Sequence, residues 1–412
     1  MTAPDPQRAA SAGFDRMWAE LAPVGRSGAT GGYSRFAWTR EDAALREWFA
    51  GACAERGLAL DVDRAGNQWA WWGDPDAAVS AGAPGVVIGS HLDSVPDGGA
   101  FDGPLGVVGA LAAVDELRAA GVAPSRPVGV VAFGDEEGAR FGVACAGSRV
   151  LTGALPAQRA LGLVDGDGTT LAEALTAAGR DPGDLGRDDR ALARVGAFVE
   201  LHVEQGYGLA GLDRPVAVGT GIWPHGRWRF DLAGQADHAG TTRLADRDDP
   251  MLALAALVQR ARELAVRHGV LATCGKVVVR PNGVNAIPSS VTGWLDARGE
   301  DQAAVRALVE EFAASAADLG GTLTEESWTD ATSFDASLAD RLAAVLGGGD
   351  VPRLATGAGH DAGVLAAAGV PAAMLLVRNP TGISHSPEEF AEPDDCHRGV
   401  HALAAVVASL TR

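Results

Sequence analysis

His91, Asp93 and Asp102 fall within one Gly-rich stretch, GSHLDSVPDGGAFDGPLG, at residues 89–106. An imidazole nitrogen of His91 can bind a divalent ion. Asp93, two residues on, lies on the same side of an extended segment and can hold that ring as an outer partner. Asp102 follows a Gly-Gly turn and can return a carboxylate to the same point. Its two oxygens can bridge two ions about 3.5–4 Å apart. Glu136 and Glu137 stand together in GDEEG, residues 134–138. Adjacent side chains at a strand end point to different sides, so one can hold an ion while the other faces a reacting water. His202 and His385 complete the set. Singly, each of these fits a solvated turn or a buried, hydrogen-bonded histidine. Together, in a chain with nine His, they describe a site for two borderline divalent ions. Zn²⁺, Mn²⁺, Co²⁺ and Ni²⁺ all suit such ligands. Two bound ions acidify a water and a spare Glu takes its proton, so the chemistry implied is hydrolysis of a carbonyl compound.

His91, the Glu136–Glu137 pair and His385 come after apolar runs that read as buried strands, residues 85–88, 127–133 and 373–377, and residues 197–206 read as a strand delivering His202. Loops leaving the ends of parallel strands are where open α/β sheets place their ligands. A helix over 105–120 separates the first two runs. This rhythm predicts an α/β fold with a mixed, mostly parallel sheet flanked by helices. Upstream, an amphipathic segment at 14–21 precedes a helix capped by Thr39 and stopped at Gly57. Strands at 58–62 and 68–72 follow, with Trp69, Trp71 and Trp72 as sheet packing. Residues 155–195 are acidic and read as a surface insertion, with a helical part over 169–179.

The texture changes near Gly211. Residues 228–232 alternate as a strand, and 234–242 form a polar loop. Asp249-Pro250 opens a helix that ends at Gly269. Strands at 275–279 and 290–297 and a helix over 301–319 complete a compact α+β unit. The expected division is therefore a catalytic domain over 1–213 and 331–412, with an α+β domain inserted over 214–330. In the last part, helices are expected at 337–346 and after His360-Asp361, and Asp394 is expected to cap the closing helix.

With 412 residues, two domains are the prior. Lys+Arg 34 against Asp+Glu 53 gives a net charge of −19, which argues against a nucleic-acid or anionic-membrane partner. The four cysteines form no CxxC pair, which fits free thiols in a reducing compartment. The first residues read as a frayed tail, without the basic start and apolar core of a signal peptide. No run reaches the roughly 18–20 apolar residues of a membrane span. A cytoplasmic location is expected.

The strings GSHLDSVPDGGAFDGPLG, GDEEGARFG, ELHVEQG, GQADHAGTT, NGVNAIPSSV, LDARG, GAGHDAG and GISHSPEE occur in this order. They resemble the dimetal aminoacylase/carboxypeptidase superfamily over residues 30–405. Within it the chain is most similar to the branch of N-carbamoyl-L-amino acid hydrolases, β-ureidopropionases and allantoate amidohydrolases. The resemblance implies that Asp102 bridges two metal ions, that His91 and His385 each serve one, and that Glu137 and His202 complete the pair. It makes Glu136 the general base and His238 the group that stabilises the developing oxyanion. It assigns Asn285 and Arg298 to the substrate carboxylate, Arg298 as a bidentate fork, and Gln205 to the amide or ureido group. The His360 loop lines the same cavity. The inserted domain is implied to form a homodimer and to supply substrate contacts, as a lid.

Two departures bear on specificity. Relatives usually have Thr-Thr-Pro-Met where this chain has Thr241-Thr242-Arg243-Leu244, and Trp223-Pro224-His225 replaces a small, polar run. The implied activity is cleavage of a ureido C–N bond on a small carboxylate, allantoate or an N-carbamoyl-L-amino acid, with release of ammonia. Alternatives on the same scaffold are an N-formyl- or N-formimino-glutamate hydrolase and a dimetal aminopeptidase or dipeptidase. A non-catalytic binding protein is the alternative of another class.

Overall fold

A computed structural model describes residues 5–412. Residues 1–4, where the expected frayed tail begins, lie outside the described residues. The chain forms two compact units, one made of the chain up to Gly221 together with Ser333–Arg412, the other Ile222–Thr332.

In chain order the strands are β1 (Ala59–Val62), β2 (Gln68–Trp72), β3 (Gly85–His91), β4 (Val128–Phe133), β5 (Val195–Val203) and β6 (Val216–Ile222). Next come β7 (His225–Ala233), β8 (Asp237–His238), β9 (Leu271–Arg280), β10 (Ala286–Ile287), β11 (Ser290–Arg298) and β12 (Thr322–Thr329). Last are β13 (Thr332–Ser333), β14 (Arg353–Thr356) and β15 (Ala372–Val377).

The main sheet has the order β1-β2-β4-β3-β5-β15-β6-β13, with β14 beside β6. Its centre, β4-β3-β5-β15, is parallel, and β2 and β6 join it antiparallel. The central strands are buried along their whole length, which is why they read as continuous apolar runs rather than alternating ones. Ile88 stands opposite Val130 on one side and Val199 on the other. Fully buried side chains such as Ile88, Leu111, Leu201 and Leu375 each contribute about 1.5–3 kcal/mol.

The helix Pro104–Ala119 packs on β3, β4 and β5, and the helix Pro393–Leu410 packs on β15 and β5. Gly106 permits that approach: a Cβ there would lie 2.3 Å from the Leu201 carbonyl oxygen. Trp69 and Trp71 are buried and stacked, with centroids 6.2 Å apart.

Two local expectations are corrected. Residues 155–195 are not merely a surface insertion, because their short helices bury Ala160, Leu171, Ala174 and Leu175. The closing helix is preceded by Glu392 as cap and starts at Pro393, so Asp394 lies in the first turn. Proline at the first helical position loses no hydrogen bond, and an acid in the first turn suits the helix dipole.

The second unit has a four-stranded antiparallel sheet, β12-β7-β11-β9. Trp228, Phe230 and Leu232 alternate inward along β7, against the helices Pro250–His268 and Gln302–Asp318. Asp249 caps the first helix and Gly269 ends it in a left-handed turn. The short strands β8 and β10 pair as a separate ribbon, with His238 opposite Ala286.

Candidate functional site

Four adjacent parallel strands deliver side chains at their C-terminal ends. His91 ends β3, Glu136 and Glu137 follow β4, His202 lies near the end of β5, and His385 follows β15. The loop after β3 brings back Asp102 just before the helix Pro104–Ala119. Gly103, at φ +85°, makes the return possible, since a Cβ there would come within 2.5 Å of the His91 ring.

Asp102 stands between two groups. Its Oδ1 lies 3.2 Å from His202 Nε2 and 3.5 Å from His91 Nε2. Its Oδ2 lies 3.4 Å from His385 Nε2. Glu137 Oε2 lies 3.6 Å from the same His385 nitrogen. Thus His91, Asp102 and His202 form one group able to hold an ion, and Asp102, Glu137 and His385 form a second. Two atoms of these groups, His91 Nε2 and Glu137 Oε1, are buried without a hydrogen-bond partner among the described residues. Buried polar atoms are rarely left so. Imidazole and carboxylate donors of this kind fit two borderline divalent ions, with Asp102 shared.

The electrostatics agree with that crowding. Burial alone would raise the Asp102 carboxyl, but His202, His385 and His91 outweigh it and hold it well below the usual carboxylate range. The hydrogen bond to Asp102 raises His385 to about 9, against its partial burial. Burial, then the Asp102 charge, pushes Glu137 up to about 7. Burial also raises Glu136 well above the ordinary value.

Glu136 Oε2 is 3.7 Å from His91 Nε2, so its carboxylate borders the first group without belonging to either. The Cys145 thiol donates to Glu136 Oε1 at 3.1 Å. Asp93 does more than was expected of it. His91 Nδ1 lies 3.1 Å from the Asp93 main-chain oxygen and 3.4 Å from its carboxylate. That carboxylate also accepts the main-chain N–H groups of Glu136 and Glu137 at 3.2 and 3.0 Å. Asp93 therefore sets β3 and the Glu-Glu turn in register.

Gln205 donates to Asp102 Oδ2 and to Ser384 Oγ, both at 3.0 Å, and its Oε1 is buried without a hydrogen-bond partner among the described residues. His360 is buried, with its ring centroid 4.4 Å from that of His202. Burial, with His202 next, lowers it well below the usual histidine range. With Glu200 and His202 it forms a third set of possible donors. Glu200 is already engaged by Ser90 Oγ at 2.7 Å and the Ala362 N–H at 3.0 Å.

The remaining expected residues lie in the second unit. There, Asn285 O accepts the Ala239 N–H at 2.9 Å, which brings Asn285 beside His238. The His238 Nδ1 accepts the Gly240 N–H at 3.0 Å, so in the neutral ring Nε2 carries the proton and can donate. Arg298 ends β11 and grips Asp296, Nη2 lying 2.6 and 2.7 Å from the two carboxylate oxygens. Arg243 is exposed and paired with Asp246. Trp223 Nε1 is buried without a hydrogen-bond partner among the described residues.

Sequence reasoning passed over Glu389, Ser384 and Asp361. Glu389 is buried, and its Oε1 accepts the Phe101 and Asp102 N–H groups at 2.8 and 2.9 Å. Its Oε2 accepts the Ser384 hydroxyl at 3.1 Å. Asp361 is buried, accepts from Ser148 Oγ, and is raised by burial to about 8. The GHD and SHSPEE strings held these residues, but a lone acid in a polar loop gives no periodic signal.

The chain as a whole is similar to known proteins. A family model described as peptidase family M20/M25/M40 matches residues 87–409. An N-carbamoyl-L-amino acid amidohydrolase of Geobacillus stearothermophilus is 38% identical over 415 residues, covering 97% of this chain and 98% of that protein. A ureidoglycolate hydrolase of Oryza sativa subsp. japonica is 30% identical, covering 97% and 85%. Among solved structures, an amidase of the hydantoinase/carbamoylase family from Burkholderia vietnamiensis is similar with a TM-score of 0.84 and 32% identity, covering 97% of each chain.

Proposed function

The chain belongs to peptidase family M20/M25/M40, and from that premise we propose that it is a metal-dependent amidohydrolase. Its proposed reaction is cleavage of the ureido C–N bond of a small carboxylate, with an N-carbamoyl-L-amino acid as first candidate. The observation that carries this reading is the Asp102 carboxylate, set between the His91–His202 pair and the Glu137–His385 pair with Glu136 alongside.

Two divalent ions held by these groups would supply Lewis acidity and acidify a water. Glu136 takes a proton from the attacking water as it adds to the ureido carbon, and returns it to the nitrogen that leaves. Its buried setting raises its proton affinity toward the range a general base needs. The C–N bond breaks to give the free amine and carbamate, which decomposes to ammonia and carbon dioxide. Gln205 Oε1 is the acceptor for a ureido N–H. His238 Nε2 donates to the developing oxyanion. Asn285 and Arg298 hold the substrate carboxylate, with Asp296 orienting the fork. His360, kept neutral by burial, lines the cavity.

A second reading takes allantoate or ureidoglycolate as substrate, and the Oryza sativa relative, a ureidoglycolate hydrolase, favours the latter. Both pair a carboxylate with a ureido carbonyl and call on the same residues. A homodimer through the second unit is part of the proposal, as is a cytoplasmic location. The unit shows an exposed edge strand, β9, carrying Leu271, Val277 and Val278. Among the described residues no helix is long and apolar enough to cross a membrane.

The deciding experiment is ammonia release by Mn²⁺-loaded protein from N-carbamoyl-L-amino acids, allantoate and ureidoglycolate side by side. Turnover in the usual range, roughly 1–10³ s⁻¹, on one of them assigns the substrate. Silence on all three, with N-formyl- or N-formimino-glutamate hydrolysed, would replace the ureido reading.

A further inference from the structure

Away from the metal-binding groups, a cleft of about 470 Å³ opens around Trp38. We propose that this cleft, walled by Arg40, Arg46 and Arg180, binds a small oxyanion, a carboxylate or a phosphate. Its volume lies in the range of small-molecule sites, roughly 300–1,000 Å³.

The charge on its walls runs against the rest of the chain. Three arginines and a single acid, Asp42, line the cleft, in a protein of net charge −19. Asp42 is already spent, since it accepts the Trp38 N–H at 2.9 Å and Arg46 Nε at 2.8 Å. Within the cleft's own lining two positive charges are left over, offset in part at Arg180 by the charges of Asp63 and Asp184 outside it. Arg40 is exposed and Arg180 half-buried, and neither makes an ion pair with a carboxylate among the described residues.

Two guanidinium groups crowd the same indole. The Arg46 Cζ lies 4.3 Å and the Arg180 Cζ 5.8 Å from the Trp38 ring centroid. Burial, then the charge of Arg46, lowers the proton affinity of Arg180. Like charges held this way are relieved by an anion between them, and the planar guanidinium fork matches carboxylate and phosphate oxygens. Arg180 makes one hydrogen bond, Nη2 to the Asp63 carbonyl at 3.2 Å, and keeps further N–H donors for an occupant.

The indole is also held at a conformational cost. Trp38 sits at φ +60°, a conformation that is an outlier for a bulky residue. It is kept there by Asp42 and by Arg140, whose Nη1 donates to the Trp38 carbonyl at 3.0 Å. Strain of this kind collects at ligand clamps. The cleft also touches the catalytic region through Arg46. A Cβ on Gly134 would lie 2.9 Å from Arg46 Nη2, and Gly134 is two residues before Glu136.

The test is residue-resolved arginine modification of the intact, metal-loaded protein. Phenylglyoxal labelling is followed by mass spectrometry in chloride, inorganic phosphate or benzoate at equal ionic strength. Labelling of Arg180 is expected to slow about tenfold in phosphate, benzoate or both, while the exposed Arg190 labels at one rate throughout. Phosphate alone protecting identifies a phosphate-bearing ligand, and benzoate alone a carboxylate. Arg40→Gln, distant from the metal-binding groups in the chain, should weaken the protection of Arg180. Equal labelling of Arg180 in all three anions would overturn the proposal, as would protection confined to Arg298.

Discussion

Glu389 Oε1 accepts the main-chain N–H of Asp102 at 2.9 Å. The same carboxylate accepts the Ser384 hydroxyl, next to His385. One buried side chain thus ties together the two loops that carry Asp102 and His385. Glu389→Ala would leave two N–H groups unpaired and let both loops relax. Losing an outer partner of this kind costs about 10–100-fold in metal affinity. Titration calorimetry of Mn²⁺ into stripped protein measures it, and an unchanged affinity would remove Glu389 from the support of the site.

Glu136 borders the histidine groups without entering either, so base and ligand can be separated by substitution. Glu136→Gln keeps the size and loses the proton acceptor. Turnover is expected to fall by about 10²–10⁴, with the metal content by plasma mass spectrometry unchanged. Full metal with full turnover would move the base elsewhere. Lost metal would make Glu136 a ligand.

What the chain showed in advance follows from where its signals are strong. His91 and His202 stand at the ends of the buried strands β3 and β5, and Glu136, Glu137 and His385 follow the buried strands β4 and β15, so the strand pattern placed them at one end of the sheet. The β7 strand and the helix from Pro250 were legible because inward alternation and the Asp249-Pro250 start are local. Glu389 was not legible: its partners Phe101 and Asp102 are nearly three hundred residues away, and its own loop reads as a solvated turn. Glu200 hid for the opposite reason, as a single acid inside the apolar strand β5. The closing helix starts one residue before Asp394 because Pro393 is suited to the first helical position, which leaves Asp394 in the first turn rather than at the cap.

Asp63 supplies a pH test remote from the metal-binding groups. It is buried, and burial raises its carboxyl to about 6 despite hydrogen bonds from Trp69 and Asn67. The folded chain therefore holds this proton more tightly than the unfolded one. Between the ordinary value of 3.8 and about 6, folding binds protons, so stability falls as pH rises. The loss is on the order of 3 kcal/mol across the window. Asp63→Asn should show a constant offset from its altered acceptor and a flatter slope. Urea melts at several pH values from 4 to 7 measure the difference, and parallel curves would mean that Asp63 is ionised throughout.

The second unit holds a constraint on how a small substrate could meet His238 and Arg298 together. Arg298 ends β11, and the ribbon carrying His238 and Asn285 adjoins the Ser290 end. Eight residues of strand separate those ends by about 26 Å, far more than a ureido acid spans. If both residues act on one substrate, they come from two copies of the chain. Pairing through the exposed edge β9 would supply the second copy. Placing charge in that seam, with Val277→Lys and Val278→Lys together, should give a monomer by light scattering and abolish turnover. A complementary experiment uses His238→Ala and Arg298→Ala, each inactive alone. In mixed dimers one of the two sites would contain both native residues, so co-refolding the two variants should restore about a quarter of wild-type activity. No recovery, with mixed dimers demonstrated by tagging, would mean that the two residues do not serve one substrate from separate chains.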